Sequence, residues 1–251
     1  ACIQISIVTQ HRLHDGWLKR KACGKPSANQ TGCISVDVEA ARTKAAADNI
    51  DTGTFNVLVS GITYHGGSVW SRALKYSDFQ DNIEVPYGVY DISAESCTPE
   101  EALVGDGCVR YAGVREALDV YSDNPRHAKI VCTIANAAVR VVFDESFRDV
   151  FDDGSVVISD GVRQFEISIA QSAERTVWYN VTGGSKSLEY TVNGTIDGVQ
   201  KQYGGSLTLS AAQEGIITVK SGKDGFFSPQ ISVDDVYEDN GILEIIDPQA
   251  E

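Results

Sequence analysis

Apolar and polar residues alternate with a period of two through most of this 251-residue chain, the pattern of β-strands with one buried face. Residues 54–60 place Phe55, Val57 and Val59 on one side, and residues 163–169 do the same with Phe165, Ile167 and Ile169. Gly66-Gly67 is a hairpin signal because both turn positions favour positive φ, and Val85-Pro86-Tyr87-Gly88 reads as a turn before a strand at 89–94. With further strands at 34–38, 114–121 and 128–135, these runs make a first β-unit. A second has strands at 138–143, 156–158, 163–169, 176–181, 187–192, 206–209, 215–220, 229–233 and 241–246. One helical turn, at 145–151, lines Phe147, Val150 and Phe151 along one face.

The run 129–143 reads as two strands separated only by a turn signal at Asn136. It predicts a seam, where the last strand of one unit passes directly into the first of the next. The expected class is all-β: a basic leader at 1–33 with no assigned role, one β-sandwich at 34–135 and a second at 136–251. Residues 34–38 form the expected edge strand of the first unit, and 39–49 read as a linker. In that linker Arg42 and Lys44 offer an exposed processing site for a trypsin-like protease.

Charge sharpens this division. The net charge is −14, which argues against nucleic acid as a partner, yet Arg12, Lys19, Arg20, Lys21 and Lys25 make the leader basic. No apolar run reaches the roughly 20 residues of a membrane helix. The chain contains no methionine.

Candidate chemistry is sparse. His11 and His14 have i, i+3 spacing without a nearby carboxylate, and the acidic groups at Asp149, Asp152, Asp153 and at Asp234, Asp235, Glu238, Asp239 lack EF-hand spacing. No nucleophile elbow or phosphate-loop motif occurs, and Ser221-Gly222-Lys223-Asp224-Gly225 reads as a hairpin turn. The expectation is a protein that is not an enzyme and takes no cofactor or metal. Three sequons, at Asn29, Asn180 and Asn193, fall among turn-like residues. The adjacent pairs Trp178-Tyr179 and Phe226-Phe227 each turn one ring away from the core if they lie in strands, so these four residues are the candidate binding platform. Six cysteines sit at 2, 23, 33, 97, 108 and 132 without zinc spacing. Cys97 and Cys108 bracket a polar loop that a disulfide would close, contributing about 3 kcal/mol; free thiols are the other reading. Cys132 alternates in phase with Ile130 and Ile134, as a small core residue would.

Residues from about 34 to 251 also resemble a fimbrillin-like family of surface lipoproteins, adhesins of Gram-negative gut anaerobes. The resemblance rests on Ala41-Arg42-Thr43-Lys44-Ala45, on the strand Ile83-Glu84-Val85-Pro86-Tyr87-Gly88-Val89-Tyr90-Asp91-Ile92-Ser93-Ala94, and on Val109-Arg110-Tyr111-Ala112-Gly113 followed by the seam around Asn136-Ala137-Ala138-Val139. It implies transthyretin-like sandwiches and export to the cell surface and outer membrane, with Cys2 as the lipidated residue. It also implies partners among other pilus or surface proteins, or a host or glycan ligand. In fimbrillins, arginine-specific removal of an early strand opens a groove for the next subunit, which makes residues 34–38 an exchangeable strand. A carbohydrate-binding module is the alternative function, and a glycan hydrolase would require two convergent carboxylates in a cleft.

Overall fold

The alternating runs become strands because each has one apolar face to bury. The computed structural model describes residues 30–41, 50–79, 82–171, 175–221, 227 and 229–235. In the first half, β1 (Thr31–Ala40), β2 (Asn56–Thr63), β3 (Val69–Lys75), β4 (Ile83–Pro86), β5 (Gly88–Glu95), β6 (Tyr111–Val120) and β7 (Arg126–Ile134) form one sheet in the order β3-β2-β5-β6-β7-β1-β4. The hairpin after β2 is longer than a two-residue turn. Gly66 and Gly67 both take positive φ, but Thr63 N–H donates to Ser68 O across the loop, so the return strand begins at Val69.

The second half contains β8 (Asn136–Phe143), the single turn α1 (Glu145–Arg148), β9 (Asp153–Ser159), β10 (Gln164–Ser168), β11 (Thr176–Asn180), β12 (Lys186–Ile196), β13 (Val199–Leu209), β14 (Gln213–Val219) and β15 (Gln230–Asp235). They build two four-stranded sheets, β10-β9-β12-β13 and β11-β8-β14-β15. The fold is all-β, as expected. The strand expected at 241–246 lies outside the described residues. β12 and β13 are longer than their alternation indicated, because Asp197-Gly198, both at positive φ, makes a tight turn that registers eleven residue pairs.

Buried apolar side chains collect in two clusters. One gathers Ile34, Val38, Phe55, Val59, Tyr90, Ile92 and Ile130, and the other Val139, Phe147, Ile158, Ile167, Tyr179, Leu188 and Ile217. Complete burial of such a side chain stabilises by about 1.5–3 kcal/mol. The clusters do not divide strictly at the seam: Ala212 belongs to the first, and Trp178 packs against it.

The seam itself corrects one expectation. The break between β7 and β8 falls at Ala135, and Asn136 is the first residue of β8, wholly buried. Its side chain is consumed inside the protein: Nδ2 donates to Cys108 O at 2.7 Å and Oδ1 accepts from Arg110 N–H at 3.1 Å. A turn-forming residue type has here been used as a buried bridge.

Candidate functional site

β1 is held in an unusual way. Ile34–Ala40 run parallel to β7, pairing Ile34 with Arg126 and Ala40 with Cys132. On its other side only Thr31–Ile34 pair, antiparallel, with Pro86–Ile83 of β4. The expected edge strand is therefore paired on both sides only at Ile34: Thr31–Cys33 pair with β4 alone, and Ser35–Ala40 present an outer edge that no described strand pairs with. Neither β7 nor β4 is its neighbour in sequence, and the two do not pair with each other. β1 thus occupies a slot, and withdrawing it would leave two open ladders.

Side-chain alternation fits β1 to that slot. Ile34 and Val38 are buried and Val36 is half-buried against the first cluster. Gly32 lies where a Cβ would come within 2.6 Å of Ser122 O and 2.7 Å of Val120 Cγ1, so the slot accepts only glycine there. The opposite face is polar: Thr31 Oγ1 donates to Glu84 Oε1 at 2.6 Å, Ser35 Oγ lies 3.0 Å from His127 Nδ1, and Glu39 pairs with Lys129 at 2.9 Å. Hydrogen bonding to Glu39, with the charges of Glu39 and Asp37, raises the pKa of Lys129. Exposed pairs of this kind contribute little stability and serve mainly to set register.

Of the candidate aromatic platform, Tyr179 is buried while Trp178 and Phe227 are half-buried. Tyr179 is completely buried and its hydroxyl approaches Ile158 O; burial raises its pKa. Strand alternation puts Tyr179 into the second cluster, while Trp178 packs against the first, so both faces of β11 are covered. Phe227 stacks on Phe151 at 4.9 Å and on Phe147 at 6.0 Å. Phe226, Cys2, Arg42 and Lys44 lie outside the described residues. Cys97 is half-buried and Cys108 exposed, both as free thiols whose side chains interact. The sequon at Asn180 is engaged: Nδ2 donates to Pro99 O at 2.7 Å and Oδ1 is buried.

Sequence reading missed a shallow trough of about 680 Å³ on the outer face of β9, β10, β12 and β13. Asp153, Glu166, Asn193, Thr195, Lys201 and Gln202 line it, and Gln202 Nε2 donates to Asn193 Oδ1 at 3.1 Å. Its groups can hydrogen-bond polyols, and it has no aromatic lining. Among the described residues no cluster of metal-ligating side chains occurs, and no helix is long and apolar enough to cross a membrane.

The family model described as a domain of unknown function, DUF4493, matches residues 30–248. The chain belongs to the DUF4493 family. The match takes in β1 and its slot from the first described residue. No curated protein matches the DUF4493 chain in sequence. Solved structures with a similar fold include a protein of Bacteroides eggerthii assigned to cell adhesion (10% identity, TM-score 0.46, covering 82% of this chain and 95% of that one). A fimbrilin of Porphyromonas gingivalis (8%, 0.44, 82% and 98%) and the fimbrial anchor protein Mfa2 of the same organism (10%, 0.44, 82% and 99%) are also similar. At such low identities and TM-scores, the functional reading comes from the chain's own geometry.

A further feature of the DUF4493 chain concerns β15. Among the described residues this strand pairs only with β14, and all six of its residues are exposed, Ile231 at 39% and Val233 at 46%. Ile231-Ser232-Val233-Asp234 repeats Ile34-Ser35-Val36-Asp37 of β1 residue for residue. The repeat was legible in the sequence, but four residues carry meaning only once one copy is seen in the slot and the other on an open edge.

Proposed function

We propose that this DUF4493 chain is a non-enzymatic cell-surface protein, an adhesin or fimbrial component, that joins its partners by strand exchange at the β1 slot. The observation that carries this reading is the slot itself: β1 is bound by ladders to two strands that do not pair with each other. Strand addition draws affinity from backbone hydrogen bonds and specificity from alternating side chains, and the slot supplies both. The exposed β15 carries a copy of the β1 tetrapeptide, so Ile231 and Val233 match Ile34 and Val36, while Pro229 and Asp235 stand where β1 has Gly32 and the buried Val38. Cleavage at Arg42 or Lys44 would free β1 to leave. The wider proposal holds two β-sandwich domains, at 34–135 and 136–251, with export to the outer membrane and a lipid anchor at Cys2. Partners are other pilus or surface proteins.

A lock on β1 tests this. Ser35 and His127 are register partners, so a disulfide between S35C and H127C fastens β1 to β7. After arginine-specific cleavage the unlocked chain is expected to form oligomers and the locked chain to stay monomeric until reduced. Equal behaviour of the two forms would overturn strand exchange.

Glycan capture is the second reading, and the polar trough favours it in place of the aromatic candidates, of which Tyr179 is buried. N193A and E166A should then abolish binding to soluble polysaccharide while leaving assembly intact; unchanged binding would dismiss the trough.

A further inference from the structure

The loop between Cys97 and Cys108 does more than connect β5 to β6. It opens with reciprocal hydrogen bonds, Thr98 N–H to Glu101 Oε2 at 2.8 Å and Glu101 N–H to Thr98 Oγ1 at 3.2 Å, around a 3-10 turn at Glu101–Leu103. It closes with Cys108 N–H donating to Ala102 O at 3.1 Å. Between these ends it reaches across to the second half. Pro99 O accepts from Asn180 Nδ2, Gly105 O accepts from Arg163 Nη2 at 2.7 Å, and Asp106 O accepts from Trp178 N–H at 2.8 Å. The Asp106 carboxylate takes both Nε and Nη2 of Arg175, at 3.0 and 2.8 Å. A Cβ at Gly107 would lie 2.8 Å from Trp178 Cβ, so the loop seats directly on β11.

The base of this loop carries the two interacting thiols. Cys108 is exposed and open to reagents, whereas Cys97 is half-buried, with Ser96 Oγ 3.8 Å from its sulfur. The other described cysteines are differently placed: Cys33 lies within β1, and Cys132 is fully buried with its thiol pushed up to about 11 by burial.

We propose that Cys97 and Cys108 form a reversible disulfide clasp that tightens the docking of this loop on β11, and so couples the two halves of the molecule to the redox state outside the cell. The oxidant is a small external disulfide. The Cys108 thiolate attacks it, forming a mixed disulfide and releasing one thiol; the Cys97 thiolate then attacks the Cys108 sulfur and expels the second. One disulfide is made and one consumed, and the two cysteine protons leave with the two released thiols. Burial, with the contact to Cys108, raises the pKa of Cys97 against the lowering by Ser96 and Arg110, so the second step quickens as pH rises.

The test uses the full chain, incubated with glutathione disulfide or with a phosphine reductant. Peptide mapping should find Cys97 linked to Cys108 after oxidation. Hydrogen exchange at the Trp178 amide, which reports the bond to Asp106, should be several-fold slower in the oxidised form, and re-reduction should restore it. C108S should be insensitive to redox state; because oxidised and reduced wild type are compared directly, the result does not depend on that variant folding. Pairing of Cys97 or Cys108 with another cysteine, lasting glutathionylation of Cys108 without closure, or closure with unchanged exchange at Trp178 would each overturn the clasp.

Discussion

The buried amide of Asn136 donates to the backbone carbonyl of Cys108 at 2.7 Å, which ties the first residue of β8 to the base of the loop that docks on β11. The same side chain accepts from Arg110 N–H, and the Asn136 carbonyl accepts from Ala212 N–H at 2.9 Å. One residue thereby satisfies three backbone groups from two separate segments at the passage between the halves.

Removing that amide should be costly. N136L leaves the part-buried Arg110 N–H and Cys108 carbonyl without their side-chain partner, for an expected loss of about 1–3 kcal/mol. N136D keeps the shape but places a carboxylate against the Cys108 carbonyl and is expected to be no better. Urea denaturation of the three proteins measures this; a loss below about 0.5 kcal/mol for N136L, the scale of an ordinary surface change, would remove Asn136 from the account.

The slot makes a steric prediction. G32V pushes a branched side chain into Ser122 O and Val120, where the nearest approach for a Cβ alone is 2.6 Å. Overpacking of this kind costs about 1–3 kcal/mol, and here the strain falls on β1 where it meets Val120 and Ser122. Cleavage within β1 by a nonspecific protease should accelerate, while the second cluster keeps its protection. S35A, on the polar face, should change stability by less than about 0.5 kcal/mol.

Much of the architecture was legible because alternation and burial coincide. Phe55, Val57 and Val59 face inward as their spacing required, and Gly66-Gly67 turns the chain as expected, although the loop is longer. Legibility failed where one residue type serves two physical ends. Asn136 looks like a turn former and is a buried bridge; Trp178-Tyr179 looked like a pair with one exposed ring, but β11 is packed on both faces. The slot could not be read at all. Parallel pairing of β1 with β7 joins residues about ninety positions apart, and nothing local in either strand encodes it.

Electrostatics at the docking loop gives a pH dependence. Hydrogen bonding to Arg175 holds the Asp106 carboxyl below its usual range, with the charges of Arg175 and Arg163 acting in the same direction against the opposing effect of burial. A depressed carboxylate stabilises the folded state above its unfolded pKa of about 3.9, and that contribution is lost as pH falls through the folded value. Because the Asp106 side chain is 43% exposed, solvent screening keeps the contribution small. R175A should flatten the fall in stability below about pH 4 while leaving the curve near neutrality almost parallel to wild type. Unchanged acid sensitivity in R175A would show that Asp106 is not held by this pair.

Strand capture at the β1 slot is the claim on which the functional account stands. The direct measurement is native mass spectrometry of the folded chain, cleaved after Arg42 and mixed with a synthetic peptide spanning residues 230–237 with Asp235→Val, which starts beyond the Gly32 position and restores the apolar residue that Val38 supplies. Exchange predicts that the fragment bearing β1 leaves and that one peptide takes its place per chain, while a peptide with Ile231 and Val233 replaced by Asp is not bound. Retention of the β1 fragment, no bound peptide and an unchanged melting temperature would contradict it.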